Sequence, residues 1–307
     1  MTTTIEPPPD TAAPPVPAPR AKPRGRGAGL GAWGAVAPLL IYMAVFLGLP
    51  TWALLWEALR QTSPVTQKTS FTFSNLTTSW KGIYLSGIWG SIRLSLIAAV
   101  ISAVVGIVTA YAISQSRGRY LKQAVMTASG VLANTGGIPL AFCFIAVAGT
   151  GGVLTSLIQN LDPSFQLDTF SGLLLVYPYF EIPLMVLTTL PALDGLKTQW
   201  REAAQNLGGN AWQYWRMVGT PILMPTVLGG LLLCFGSSFA AYATAQALTD
   251  GTVPLITTQI KSILSGNVIA GEENVGMALG LNTIVICGLM MAVYLPLRKR
   301  SAKWLES

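Results

Sequence analysis

The stretch Asp194-Gly195-Leu196-Lys197-Thr198-Gln199-Trp200-Arg201-Glu202-Ala203-Ala204-Gln205-Asn206-Leu207-Gly208-Gly209-Asn210-Ala211-Trp212-Gln213-Tyr214-Trp215-Arg216-Met217-Val218-Gly219-Thr220-Pro221 is a polar island between two apolar runs. Its first half has a helical period. Leu196, Trp200, Ala203 and Leu207 share one face, and Thr198, Arg201, Glu202 and Gln205 share the other. Gly208-Gly209-Asn210 stops that helix. A second short helix follows, with Trp212 and Trp215 one turn apart, and Pro221 marks the return to the apolar run. The segment reads as a helix-turn-helix on the surface of an apolar body. It serves either as a docking surface, with small alanines admitting another backbone and tryptophans anchoring it, or as an interfacial helix resting on lipid headgroups.

Working outward, uncharged runs recur at the length of a membrane helix, about 20 residues. Residues 34–56 and 94–116 are the first two. Residues 123–161 are too long for one span, and Gly149-Thr150-Gly151-Gly152 breaks them, so the third helix is expected over 123–148. Residues 169–193, with the single charge Glu181, make the fourth. The fifth lies within 217–249, starting near Pro221 or Pro225, and the sixth over 274–297. The expectation is an all-α membrane protein with six transmembrane helices. Composition agrees: of 307 residues 51% are hydrophobic and only 10% charged, where roughly 25% charge is usual in soluble globular chains.

Residues 1–32 differ. Pro7-Pro8-Pro9, Pro14-Pro15, Pro17, Pro19 and Pro23 fill the stretch, and Arg20, Lys22, Arg24 and Arg26 gather at its end. Such a tail is expected to be disordered. A signal peptide is the competing reading, but the next apolar run is too long and lacks a small-residue cleavage site. The membrane domain is placed at 33–300, with 301–307 as a C-terminal end.

With the N-terminus inside, 14 of the 19 Lys and Arg fall in cytoplasmic segments. The distribution follows the positive-inside rule and places both termini in the cytoplasm. The net charge of +7 therefore reflects topology, and nothing further points to nucleic acid. The chain has no His, which removes Ser-His-Asp and Cys-His catalysis. Cys143, Cys234 and Cys287 lie in apolar runs and form neither a disulfide framework nor a metal site. No phosphate-binding G-x-x-x-x-G-K-[ST] loop occurs. No catalytic residue and no cofactor are expected in this chain. Asn75-Leu76-Thr77 matches a glycosylation tripeptide that is common by chance.

The opening stretch also carries a resemblance. Glu202-Ala203-Ala204, three residues, Gly208, nine residues, then Val218-x-Thr220-Pro221 is similar to the EAA loop of permease subunits of type I ABC importers. The family's pattern ends I-x-L-P, so Val218 and Thr220 depart from it while the spacing is intact. The resemblance covers roughly residues 88–300. It implies a type I importer permease fold and a coupling loop at 195–221 that docks in a cleft of a separate cytoplasmic ATPase dimer, which binds the ATP. Glu202 would bond to that ATPase, Ala203 and Ala204 would allow close packing, Gly208 would form the turn, and Pro221 would close the motif. It further implies a second permease subunit, with a heterodimer favoured, an extracytoplasmic substrate-binding protein, and location in a bacterial inner membrane. The run Asn134-Thr135-Gly136-Gly137-Ile138-Pro139-Leu140-Ala141-Phe142 and the order of motifs resemble the branch serving polyamines, ferric iron, phosphonates and related small ions.

Within the spans, Glu181 is an ionisable group in lipid, costly unless it faces protein or water. It reads as a pore-lining acid or as a structural carboxylate. The break beginning at Asn134 reads as pore lining or as a packing kink. Ser237, Ser238, Tyr242 and Thr244 form a polar stripe, either a pathway or glue between helices. Gly276-x-x-x-Gly280 suggests close helix contact. An ion-coupled secondary transporter and a membrane-embedded enzyme are the rival functions; the first leaves the surface helix-turn-helix unexplained, and the second lacks histidine and paired membrane acids.

Overall fold

The computed structural model describes residues 28–62, 69–116, 118–266 and 272–306. The chain divides after Pro50 into a short N-terminal unit and a main body. The tail expected over 1–32 lies outside the described residues up to residue 27, and residues 28–32 already belong to helix α1 (Ala28–Met43). A five-residue π-helical turn, Ala44–Gly48, leads into α2 (Leu49–Ala58). A two-stranded antiparallel hairpin follows, β1 (Arg60–Thr62) with β2 (Thr69–Phe71), Arg60 opposite Phe71. After it comes α3 (Ser74–Ser79). Asn75 is buried and its Nδ2 donates to the carbonyls of Ala58 (3.1 Å) and Arg60 (2.6 Å). The amide of the glycosylation tripeptide is therefore a structural tie.

Helix α4 (Gly82–Ser114) starts well before residue 94. Arg93 does not end it, because its guanidinium lies 5.5 Å from the Phe170 ring, at one end of a second spanning helix. The third expected span is two helices, α5 (Arg119–Ala133) and α6 (Ile138–Ala148), bent by 97°. The physical cause is local. Gly137 has φ +94°, open to glycine and strained for other residues. Pro139 then sits in the first turn of α6, where its missing N–H costs nothing. Next come α7 (Val153–Gln159), α8 (Phe170–Asp194) and α9 (Thr198–Asn206). Then follow α10 (Ala211–Tyr214), a second π-helical turn at Trp215–Gly219, and α11 (Thr220–Ala240). The chain ends with α12 (Ala243–Thr249), α13 (Ile256–Leu264) and α14 (Glu273–Glu306). Among the described residues five helical segments are long and apolar enough to cross a membrane, and the bent pair makes a sixth if it is one crossing.

The fifth span does not start at Pro221 or Pro225: residues 211–240 form one apolar helical segment. The second short helix expected after the turn is its first turns. Both π-helical turns end in Gly-x-Pro, Gly48-Leu49-Pro50 and Gly219-Thr220-Pro221. Proline offers no N–H to the carbonyl four residues back, and its ring crowds that carbonyl. Widening the preceding turn to i→i+5 bonds, Leu49 N–H to Ala44 O and Thr220 N–H to Trp215 O, lets the helix pass the proline.

In lipid, burying apolar surface between helices brings no gain over exposing it to acyl chains, so tight association depends on close packing. The centre of the main body meets that need with small residues at four-residue spacing. Helix α4 presents Ala98, Ser102, Gly106 and Ala110; α11 presents Gly230, Cys234 and Ser238; all are buried. Between them α8 inserts the buried Tyr177, Glu181, Met185 and Thr189. A methyl added at Gly106 would lie 2.6 Å from Met185 Cβ, and one at Gly230 2.5 Å from Met185 Sδ. At the other end of the body Gly276 and Gly280 admit Ile263 and Leu54 at 2.8 and 2.9 Å from where their Cβ atoms would be, the close contact that their spacing suggests.

Candidate functional site

The expected surface helix is α9, and its end is built entirely by backbone. Gly209 N–H donates to Ala204 O (2.9 Å) and Gly208 N–H to Gln205 O (2.9 Å), with Gly208 at φ +78°. This is a Schellman termination, which satisfies carbonyls left over at a helix end. Open space surrounds Gly208, so its identity is required by φ rather than by room. The next helix is capped at once. Asn210 Oδ1 accepts from Gln213 N–H and Gln213 Oε1 accepts from Asn210 N–H, each at 2.8 Å. This reciprocal box was readable as Asn-x-x-Gln and was missed in the sequence.

The apolar face of α9 is not packed away. Leu207 is 89% exposed, and Ala203 and Glu202 are exposed too. Glu202 has no hydrogen bond or ion pair among the described residues. Trp200, Ala203, Ala204 and Leu207 form one wall of an open groove of about 720 Å³; Tyr214, Met217, Val218, Pro221 and Ile222 line the other side. Ala204, half-buried, lies at its floor beside Gly209. The two tryptophans of the second helix part company. Trp212 is exposed, whereas Trp215 turns inward, edge-on to Tyr111 at 5.4 Å and packed on the cluster of Ala110, Leu190, Leu193 and Leu223. At the base of the loop Lys122 holds Asp194 at 2.7 Å, a pair that links α5 to the end of α8 and that spacing alone did not reveal.

Glu181 is fully buried. Ser102 Oγ of α4 donates to one carboxylate oxygen at 2.9 Å, and Ser238 Oγ of α11 donates to the other. The carboxylate thus joins three helices. Asn134 is exposed at the α5–α6 bend, its Nδ2 donating to Gly130 O (2.8 Å). Ser237 and Tyr242 are half-buried. The bend at Asn134–Gly137 meets a second helix break, at Ala241–Tyr242 between α11 and α12. Gly137 N–H donates to Thr244 Oγ1 (2.8 Å), and Tyr177 OH donates to Ala241 O (3.1 Å). The structure therefore brings the breaks together, with Glu181 buried one helical turn from Tyr177 and bonded to Ser238, whose carbonyl accepts from Ala241 N–H.

Residues 102–303 match the family described as "Binding-protein-dependent transport system inner membrane component". The chain belongs to that family. The matched stretch contains the α5–α6 bend, Glu181 and the whole of the loop with its groove. This permease is 24% identical over 227 residues to the spermidine/putrescine transport system permease protein PotB of Haemophilus influenzae, covering 73% of this chain and 78% of that one. It is 26% identical over 206 residues to the sulfate transport system permease protein CysT of Escherichia coli, covering 66% and 69%. A bacterial alginate ABC transporter, solved with an alginate pentasaccharide-bound periplasmic protein, has a chain with the same fold. Its TM-score is 0.67 at 16% identity, with 88% of this permease and 94% of that chain covered. The fold is that of a type I ABC importer permease, a multi-pass all-α membrane protein.

Proposed function

We propose that this permease carries a small solute, delivered by an extracytoplasmic binding protein, into the cytoplasm by alternating access, and that a separate ATPase dimer drives it through the loop 195–221. One observation carries the reading: α9 offers an unpartnered acid and an open apolar groove at the end of the spanning helices, on a helix whose C-terminal end is closed by its own backbone hydrogen bonds. Such a surface is complete as structure and incomplete as contact. Glu202 supplies a charge-assisted bond to the ATPase. Ala203 and Ala204 admit its backbone, Gly208 sets the turn, and Pro221 holds the far wall of the groove. Closure of the ATPase pair on ATP would bring two such loops together, and differential affinity for the two permease states would do the work. The second loop comes from another permease subunit, in a heterodimer. The rival ion-coupled mechanism gives the groove no task.

The membrane is the inner membrane of a bacterium, with both termini cytoplasmic. A cysteine placed at Asn160 should then react with an impermeant thiol reagent from outside, and one at Gln205 should not. Asn134, Ser237 and Tyr242 belong to the proposed solute path, while Glu181 braces it from behind. The cargo is of the polyamine, metal-ion or phosphonate class; similarity to PotB supports the first. Uptake of labelled spermidine into proteoliposomes holding the full complex tests this, with sulfate as competitor. The functional test is ATP-driven uptake with Gly208→Val. The variant should insert and fold but lose ATPase association or uptake. Normal uptake by an intact Gly208→Val complex would remove the loop from the coupling role.

A further inference from the structure

A second cavity lies behind α9, on the side away from the groove. It holds about 340 Å³ and is lined by the end of α4 (Tyr111, Ser114, Gln115), the end of α8 (Asp194), and Lys197, Thr198 and Arg201 at the start of α9. Charge in it is unbalanced. Asp194 is neutralised by Lys122 at 2.7 Å. Lys197 and Arg201 have no acidic partner among the described residues; Lys197 rests 5.9 Å from the Trp200 ring. The side chains of Thr198 and Gln115 are also without a hydrogen-bond partner there. The cavity therefore offers two cations and two free polar groups to an anion.

Its depth identifies the anion's source. Two spanning helices, α4 and α8, end at its rim, at Ser114 and Asp194. The ends of spanning helices lie at headgroup level, where Tyr and Trp are favoured, and Tyr111, Tyr214 and Trp215 line this cavity. Leading up to Tyr111 along α4, Val104 and Val108 are 59% and 63% exposed at helical spacing, a bed for an acyl chain. Basic pockets between spanning helices suit anionic lipid headgroups.

We infer that this cavity binds the phosphate of an anionic lipid through Lys197 and Arg201, placing a lipid directly beneath the coupling helix. The inference concerns the full chain whatever its cargo. The test is lipid retention by the purified complex, measured by mass spectrometry after exchange into phosphatidylglycerol or phosphatidylcholine. Phosphatidylglycerol should be retained about tenfold or more over phosphatidylcholine. Lys197→Gln/Arg201→Gln should abolish that preference, while Arg201→Lys and a remote control, Lys261→Gln, keep it. Equal retention by the double variant would overturn the assignment. So would competition by millimolar inorganic phosphate without lipid retention, which would point to a free anion. Retention by the permease purified alone but not by the complete complex would overturn it as well, by making the cavity a protein contact. Uptake can fail in any of these arms without touching the result, because retention is read on the lipid itself.

Discussion

The packed centre of α4, α8 and α11 and the exposed loop around α9 are specified by opposite means. In the centre, position is fixed by volume: glycines and serines recur every four residues because Met185 and Glu181 leave no room for more. In the loop, position is fixed by backbone: Gly208 has empty space around it and is required only by its φ of +78°. The contrast teaches where damage should appear. A change in the centre should reduce folded protein, whereas a change in the loop should leave a folded permease that cannot be driven.

The largest effect is expected from Gly106→Leu. Its Cβ would already fall 2.6 Å from Met185 Cβ, and overpacking costs about 3 kcal/mol, more where helices cannot separate. Little monodisperse protein should survive detergent extraction, as read by size-exclusion chromatography. Normal recovery would show that the centre is looser than its glycines require.

Glu181 comes next. Glu181→Leu strands the hydroxyls of Ser102 and Ser238, a loss of about 1–3 kcal/mol, and should lower the thermal midpoint in detergent. Glu181→Gln keeps an acceptor for one serine and should lie close to wild type in both midpoint and uptake. Uptake lost in Glu181→Gln with an unchanged midpoint would move Glu181 from the packed centre to the solute path.

Gly208→Val places a β-branched residue at positive φ, a local strain of about 1–2 kcal/mol. Its thermal midpoint should change little while coupled ATP hydrolysis falls to the uncoupled rate. The smallest effect is expected from Asn210→Ala, which removes the cap on Gln213 N–H at about 1 kcal/mol. It should reduce coupling partially, and Asn210→Asp should restore it. Should Asn210→Ala destabilise the permease more than Glu181→Leu does, the division between centre and loop would fail.

These two regions were also unequally legible. The loop could be read because its signals are local: a period, two glycines and a motif within one stretch. Even there the Gly-x-Pro turn was missed, because Pro221 read as the start of the fifth helix where a widened turn carries one continuous helix through. The spans were legible in number, and so was a break at Asn134, but not the angle it makes. Run length is blind to the 97° bend, since Asn134 and the glycines after it are uncharged and interrupt nothing in a hydropathy count. It also set the start of α4 at Leu94, because the partner that accommodates Arg93, Phe170, is distant in sequence. The same distance hid the surroundings of Glu181: Ser102 and Ser238 lie 79 and 57 residues away. Their four-residue spacing with Gly106 and with Cys234 was the available clue, and it asks to be read across helices rather than along one.

The coupling proposed for this permease requires the groove beside α9 to be a protein contact. Leu207, 89% exposed at its edge, can be made the sole cysteine in a chain with Cys143, Cys234 and Cys287 replaced by alanine. In inside-out vesicles that cysteine should react rapidly with a thiol reagent when the permease is alone and be protected when the ATPase pair is co-expressed. Equal reactivity in both preparations would contradict docking at this loop, and with it the proposed route of energy into the membrane helices.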